Sequence, residues 1–131
     1  MSDGLPRVLC VDDEPNLLAA LRRSLRGRFE VSLAQSALDA LQALEHAGPF
    51  AIVITDLCMP GMNGIELLDR IRARWPLTAR ILLSGHGATA ASDHALAAGA
   101  AFRCLAKPFP AQDLHVAINE AIVASRVPPP L

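Results

Sequence analysis

The sequence predicts an α/β fold in which five parallel strands form one open sheet with helices on both faces. Three observations favour this fold. Short runs of β-branched residues and leucine alternate with helix-like segments along the chain. The third of these runs is apolar on both faces, as a central strand is. Four of the runs lead directly into polar side chains, which are Asp12 with Asp13, Asp56, Ser84 and Lys107.

The first strand is predicted at Arg7–Val11 and the first helix at about Glu14–Leu25. Pro15 lies in the first turn of this helix, where a missing amide hydrogen costs nothing. A stripe of leucines should be its buried face: Leu18, Leu21 and Leu25.

The second strand is predicted at Glu30–Leu33, and Ser36 should cap the helix that follows it. Leucines recur in this helix at a spacing of three and predict its buried stripe: Leu38, Leu41 and Leu44. Gly48-Pro49 ends the helix.

The third strand is predicted at Ala51–Thr55, in the centre of the sheet. A loop with Pro60-Gly61 and Asn63-Gly64 then leads into a helix at about Ile65–Trp75. Pro76 stops this helix, because the residue before a proline disfavours the helical conformation.

The fourth strand is predicted at Arg80–Leu83 and the fifth at Phe102–Ala106. Between them, an alanine-rich helix should span about Ala88–Ala98 and end at Gly99. The last helix should span about Ala111–Ser125. The pattern therefore consists of five strand-helix units.

The length of 131 residues fits one domain over residues 1–125, followed by a proline-rich tail or linker at 126–131. A net charge of -1 favours neither nucleic-acid nor membrane-surface binding. The three cysteines match no paired metal-ligand spacing and suggest a reducing compartment. With no signal-peptide core and no membrane-length apolar run, we expect a cytoplasmic protein.

The polar residues that follow the strands should converge, because parallel strands end at one edge of the sheet. Asp12, Asp13 and Asp56 would then form a cluster of carboxylates. Two like charges about 4 Å apart repel by about 4 kcal/mol near a protein surface, so the cluster favours a divalent cation. Oxygen ligands select Mg²⁺. The alternative is that the acids at the start of the first helix only complement its dipole.

Lys107 is the only lysine among twelve basic residues, which suggests a need for a compact ammonium group rather than a planar guanidinium. Together with the acids and Ser84, it suits phosphoryl transfer to a carboxylate. In that chemistry Asp56 is the nucleophile, while Lys107 and the metal neutralise charge on the phosphoryl oxygens and Ser84 offers a hydroxyl.

With these residues in place, the chain resembles the receiver domains of two-component response regulators over nearly its whole length. The matching segments are Val11-Asp12-Asp13-Glu14, Thr55-Asp56-Leu57, Met59-Pro60-Gly61-Met62-Asn63-Gly64, Ser84-Gly85, Gly99-Ala100 and Lys107-Pro108-Phe109. The resemblance implies a flavodoxin-like fold with strand order 2-1-3-4-5.

The resemblance also implies roles for individual residues. Asp56 accepts a phosphoryl group from a histidine kinase or a phosphotransfer protein, and Ser84 is the switch hydroxyl. Asp13 and Asp56 bind Mg²⁺ together with the backbone carbonyl of Cys58, and Asp12 acts through metal-bound water. The Lys107-Pro108 bond is expected to be cis.

The chain departs from the family pattern at two places. Cys104 stands where the family usually carries an aromatic switch residue, three positions before Lys107. Cys58 and His86 flank the path of the water that attacks the phosphoryl group. They are predicted to tune the lifetime of the phosphoryl group. A soft metal bound by both with Asp56 is an alternative, as is the absence of any role.

The resulting hypothesis is a phosphorylation-dependent signalling switch that catalyses only its own phosphorylation and dephosphorylation. Its partners would be a kinase and an output domain or downstream protein, with homodimerisation possible through the last two strand-helix units. One alternative is an adaptor that acts without phosphorylation. Another is a Mg²⁺-dependent aspartyl-phosphate phosphatase, which Cys58 disfavours because many such enzymes carry a second acid at that position.

Overall fold

The computed structural model describes residues 4–85 and 90–126. Its sheet contains five strands, all parallel, in the order β2-β1-β3-β4-β5. The strands are β1 (Arg7–Val11), β2 (Glu30–Ala34), β3 (Ile52–Asp56), β4 (Ala79–Ser84) and β5 (Arg103–Ala106). The helices are α1 (Pro15–Leu25), α2 (Ala37–Ala47), α3 (Gly64–Arg74), α4 (Ala90–Ala97) and α5 (Ala111–Arg126). The predicted fold class is confirmed.

The sheet is covered on both faces, and each face has its own apolar core. One core packs α1 and α5 against the sheet, and the other packs α2, α3 and α4 against it. In β3 all five residues are buried, as predicted for a central strand. The leucine stripe of α1 is buried as predicted.

The buried face of α2 differs from the prediction. Leu38 is 64% exposed, whereas the buried residues of this helix are Ala37, Ala40 and Leu44. A spacing of three drifts by about 60° around a helix at each step, so Leu38 is turned away from the sheet that Leu44 contacts. Ser36 caps the helix as predicted, since its side-chain oxygen accepts a hydrogen bond from the Asp39 amide at 3.1 Å.

The predicted ends of the helices and strands that fall on described residues agree with the observed ends within two residues, whereas the predicted start of α4 at Ala88 lies outside the described residues. The shift that matters for the site is in the central strands, because Asp56 and Ser84 are the last residues of β3 and β4 rather than the residues that follow them. Among residues 4–85 and 90–126, no helix combines the length and the apolar character needed to cross a membrane.

Candidate functional site

The ends of four strands bring the predicted site residues together. Asp12 and Asp13 follow β1, Asp56 ends β3, Ser84 ends β4 and Lys107 follows β5. One ligand oxygen from each of the three aspartates lies within 4.8 Å of the others. The carboxylates of Asp12 and Asp56 both lie within hydrogen-bond distance of the Lys107 ammonium nitrogen.

The alternation of side chains along strands explains why these groups share one side of the sheet. Residues two positions earlier in each strand belong to, or pack against, the core under α1 and α5. They are Cys10, Ile54 and Leu105. Side chains repeat their direction every second residue, so Asp12, Asp56 and Lys107 continue toward the same side.

Backbone hydrogen bonds fix the strand ends relative to one another. The Leu57 amide donates to the Leu83 carbonyl at 2.9 Å, which joins the residue after Asp56 to β4. The Lys107 amide donates to the Ser84 carbonyl at 2.7 Å, which joins the start of the β5-α5 loop to the end of β4. The three strand ends are therefore held as one unit.

Lys107 bridges two acids. Its Nζ lies 2.9 Å from Asp56 Oδ1 and 3.2 Å from Asp12 Oδ2. Burial acts to lower the pKa of Lys107, but the hydrogen bonds to both carboxylates and their charges outweigh it and raise the pKa. The ammonium is therefore charged throughout the physiological range. The Lys107-Pro108 peptide bond is cis, as the family resemblance implied.

Asp12 is almost completely buried, with 1% of its surface exposed. This burial raises the pKa of its carboxyl group, although the Glu14 amide and Lys107 act in the opposite direction. The Glu14 amide donates to Asp12 Oδ1 at 2.8 Å, so the acid also holds the start of α1. Because Asp12 contacts the lysine rather than only the helix terminus, the helix-dipole alternative does not account for its position.

The donor set suits a hard divalent cation. With its three carboxylates ionised and one ammonium group, the cluster carries two net negative charges. Among residues 4–85 and 90–126, the convergent ligand atoms are all carboxylate oxygens, and Asp13 is exposed where an ion could enter. Such a set fits Mg²⁺, which binds through one or two carboxylates and retains several waters.

Two residues that shape the site stand in segments that match the family pattern, but no role was predicted for them. Thr55 is fully buried, and its hydroxyl donates to the Asp56 carbonyl at 3.0 Å. Gly64 lies against the same backbone, since a Cβ there would overlap the Asp56 carbonyl oxygen and lie 3.0 Å from its carbon. The sequence offered one signal for Thr55, which is a hydroxyl in an otherwise apolar strand. For Gly64, the close approach depends on the tertiary structure.

The three proposed tuning residues occupy different settings. The Cys104 thiol is half-buried on the α4 side of the sheet and donates to the Ser92 carbonyl at 3.7 Å. Burial raises the pKa of this thiol, and Asp93 raises it further. The Cys58 side chain is exposed. His86 lies outside the described residues, so its tuning role and the soft-metal alternative remain predictions.

Comparisons with known proteins give a consistent result. Residues 8–119 match the family model described as the response regulator receiver domain. The hydrogenase transcriptional regulatory protein HoxA of Cupriavidus necator is 43% identical over 86 residues, or 66% of this chain and 18% of that protein. The virulence sensor protein BvgS of Bordetella bronchiseptica is 38% identical over 130 residues, or 95% of this chain and 10% of that protein. The chain thus spans a small part of both relatives.

Solved structures show the same similarity. The crystal structure of a response regulator receiver domain protein from Clostridium thermocellum is 37% identical to the chain, with a TM-score of 0.81, and the match covers 93% of this chain and 98% of that one. The signal receiver domain of an HD domain-containing protein from Pseudomonas fluorescens Pf-5 is 32% identical, with a TM-score of 0.85, and the match covers 92% and 97% of the two chains. Fold, acid cluster and sequence agree, and the chain belongs to the response regulator receiver domain family.

Proposed function

We propose that this receiver domain accepts a phosphoryl group on Asp56 in a Mg²⁺-dependent reaction and thereby switches a contact surface. The observation that carries the proposal is the position of the Asp56 carboxylate. It lies 2.9 Å from the Lys107 ammonium and converges with the carboxylates of Asp12 and Asp13. A nucleophilic acid placed between a cation and two further acids suits phosphoryl transfer to a carboxylate.

The metal ligands would be Asp13, Asp56 and the backbone carbonyl of Cys58, with Asp12 beside them. Bound there, Mg²⁺ supplies positive charge that offsets the carboxylates and the phosphoryl oxygens. The three carboxylate groups that converge in the described part of the chain, and the two net negative charges of their cluster with Lys107, support this assignment.

In the reaction, a carboxylate oxygen of Asp56 forms a bond to phosphorus as the bond between phosphorus and the donor's leaving group breaks. The Lys107 ammonium group shifts part of its contact from Asp56 to a phosphoryl oxygen, while Asp12 keeps the ammonium in place. The Ser84 hydroxyl, at the end of β4, hydrogen-bonds another phosphoryl oxygen. The domain thus takes up the phosphoryl group itself and promotes only its own phosphorylation and dephosphorylation, rather than acting as a turnover enzyme.

The partners follow from this chemistry. A sensor histidine kinase or a phosphotransfer protein would supply the phosphoryl group, and an output domain or a downstream protein would respond to it. The relatives support this proposal, since HoxA is a transcriptional regulatory protein and BvgS a sensor protein of which the match covers a small part. A homodimer could form through β4, α4, β5 and α5, where Val116 and Val123 are 49% and 62% exposed.

The remaining assignments are also proposals. Residues 1–125 form the receiver domain and 126–131 a tail or linker. Cys104 weakens the usual aromatic switch, while Cys58 and His86 set the phosphoryl lifetime. The free thiols of Cys10, Cys58 and Cys104 fit a cytoplasmic location, and the net charge of -1 disfavours direct nucleic-acid binding.

The deciding experiment is incubation with phosphoramidate or acetyl phosphate and Mg²⁺, followed by intact-mass measurement. The wild type should gain one phosphoryl group and Asp56→Asn none, because the amide removes the nucleophile. Asp69→Asn, an exposed acid on α3, is the matched control and should be labelled like the wild type. Labelling of Asp56→Asn to the wild-type level would refute the assignment. An unlabelled wild type would favour the adaptor that acts without phosphorylation.

A further inference from the structure

Thr55 carries a hydroxyl group in a strand whose other side chains, apart from that of Asp56, are aliphatic. The four other residues of β3 are Ile52, Val53, Ile54 and Asp56, and Thr55 itself is fully buried. Valine has nearly the same shape and favours strands as strongly, without the cost of burying a polar group. The buried hydroxyl therefore requires a hydrogen-bond partner within the protein.

That partner is the main chain of the proposed phosphoacceptor. The Thr55 hydroxyl donates to the Asp56 carbonyl at 3.0 Å, in a buried hydrogen bond. The other end of the same peptide unit is the Leu57 amide, which donates to the Leu83 carbonyl at 2.9 Å. Because a peptide unit is planar, bonds at both ends fix its rotation.

The residues around the Asp56 carbonyl restrict its orientation. Gly64, the first residue of α3, lies so close to the Asp56 carbonyl that a Cβ would overlap its oxygen. Thr55 approaches from the α3 side of the sheet, since Val53, two residues earlier, belongs to the core under α2 and α3. Asp56 directs its side chain to the opposite side, where Lys107 lies.

We infer that Thr55 is a positioning residue for phosphorylation: its hydroxyl fixes the Asp56-Leu57 peptide and so aims the Asp56 carboxylate at the donor phosphorus. This inference rests on the proposed phosphorylation of Asp56. Rotation of this peptide changes ψ of Asp56, and the backbone adjustment that follows at this residue moves its carboxylate oxygens relative to Lys107. Reactions of this type lose rate steeply when the nucleophile is misplaced.

The chain provides a matched control for the test. Thr78 is also buried, and its hydroxyl donates to the Phe50 carbonyl at 2.9 Å. This bond has the same chemistry as that of Thr55 but lies at the amino ends of β3 and β4, away from the acids. Thr78→Val therefore removes an equivalent hydrogen bond without touching the site.

Phosphorylation rates should be measured with phosphoramidate at saturating Mg²⁺ for the wild type, Thr55→Val, Thr55→Ser and Thr78→Val, under conditions where circular dichroism shows each to be folded. Thr55→Val should lower the limiting rate about five-fold, the factor for a hydrogen bond of about 1 kcal/mol, with the half-saturating donor concentration unchanged. Thr55→Ser should restore the rate, and Thr78→Val should leave it unchanged. A wild-type rate in Thr55→Val, or an equal loss in Thr78→Val, would overturn the inference.

A second readout is independent of phosphorylation. Hydrogen exchange at the Leu57 amide should quicken in Thr55→Val and not in Thr78→Val or Thr55→Ser, because only the first variant frees the Asp56-Leu57 peptide. Unchanged exchange would overturn the positioning role even if the wild type were never labelled. A failure of wild-type labelling with quickened exchange would instead refute the proposed function, and with it the role of Thr55 in phosphorylation, while the hold of Thr55 on the Asp56-Leu57 peptide would stand.

Discussion

Lys107 contacts two carboxylates that a single cation must satisfy at once. Its Nζ lies 2.9 Å from Asp56 and 3.2 Å from Asp12, on a side chain that is 24% exposed. An ammonium group offers three donors around one nitrogen and can turn between partners, whereas a guanidinium group presents a planar set of donors. The shape of the cation is therefore part of the site.

Substitution of this lysine should separate charge from shape. Lys107→Arg keeps the positive charge, and we expect a folded protein whose phosphorylation rate falls by about ten-fold or more, because the larger group displaces the Asp56 carboxylate. The measurement is the initial rate of labelling at saturating Mg²⁺. Arg70→Lys, the reverse exchange at an exposed position of α3, should have no effect. Wild-type kinetics in Lys107→Arg would remove the argument from shape.

Asp12 is held in a site that disfavours its own charge. Burial raises its pKa above the ordinary value of 3.8, so the folded protein binds this proton more tightly than the unfolded chain does. The stability contributed by the raised pKa is fully present below pH 3.8 and is lost as the pH rises through the pKa of the folded state. At neutral pH the ionised acid thus lowers the free energy of unfolding.

In the absence of divalent cations, we therefore expect the free energy of unfolding of Asp12→Asn to rise relative to that of the wild type as the pH rises. Urea unfolding in EDTA at several pH values from about 3 to 7 measures this difference. Asp69→Asn serves as the control for the loss of a carboxylate at an exposed position of α3. A difference between Asp12→Asn and the wild type that does not vary with pH would contradict the linkage.

At the scale of the elements, the start of α3 determines how closely the helix approaches Asp56. Asn63 and Glu66 form a reciprocal cap, with the Glu66 amide donating to Asn63 Oδ1 at 2.9 Å. The Gly64 amide donates to the Leu57 carbonyl at 2.9 Å, which draws the helix onto the end of β3. The absence of a side chain at Gly64 makes this approach possible.

Gly64→Ala should therefore destabilise the fold and impair the site together. The added Cβ would meet backbone atoms of Asp56 and Leu57, which cannot move aside as a flexible side chain can. We expect a loss of about 1–3 kcal/mol in the free energy of unfolding, measured with urea, and a slower phosphorylation. Gly85→Ala is the control, because a Cβ there meets no atom of the residues that the structure describes within 4 Å. Equal stability of the two variants would refute the close approach.

The elements were predictable because periodicity reports burial, and most of the site was predictable because strand ends meet in a parallel sheet. The exposure of Leu38 was not, since a spacing of three does not tell which side of the drifting stripe meets the sheet. Thr55 and Gly64 contact the backbone of Asp56 and take no part in the reaction themselves. Their roles depend on distances that a pattern of residue types does not contain.

At the scale of the whole molecule, two apolar cores enclose a sheet whose functional end carries excess negative charge. The helices α1 and α5 cover one face, and α2, α3 and α4 cover the other. The acid cluster lies at the carboxyl ends of β1 and β3, and backbone hydrogen bonds join the end of β3 to β4 and the end of β4 to Lys107. A cation that binds this cluster therefore binds only the folded protein, since unfolding separates its ligands.

Mg²⁺ should accordingly stabilise the whole domain by mass action. Each ten-fold rise in its concentration above the dissociation constant should add about 1.4 kcal/mol to the free energy of unfolding, seen as a rise in Tm. Asp13→Asn should lose this gain and still fold, because Asp13 is exposed and the pairs of Lys107 with Asp12 and Asp56 remain. Sodium chloride at equal ionic strength separates binding from charge screening, and Asp69→Asn should keep the wild-type response. If Mg²⁺ raised the Tm of Asp13→Asn as much as that of the wild type, the cation would be acting elsewhere on the protein.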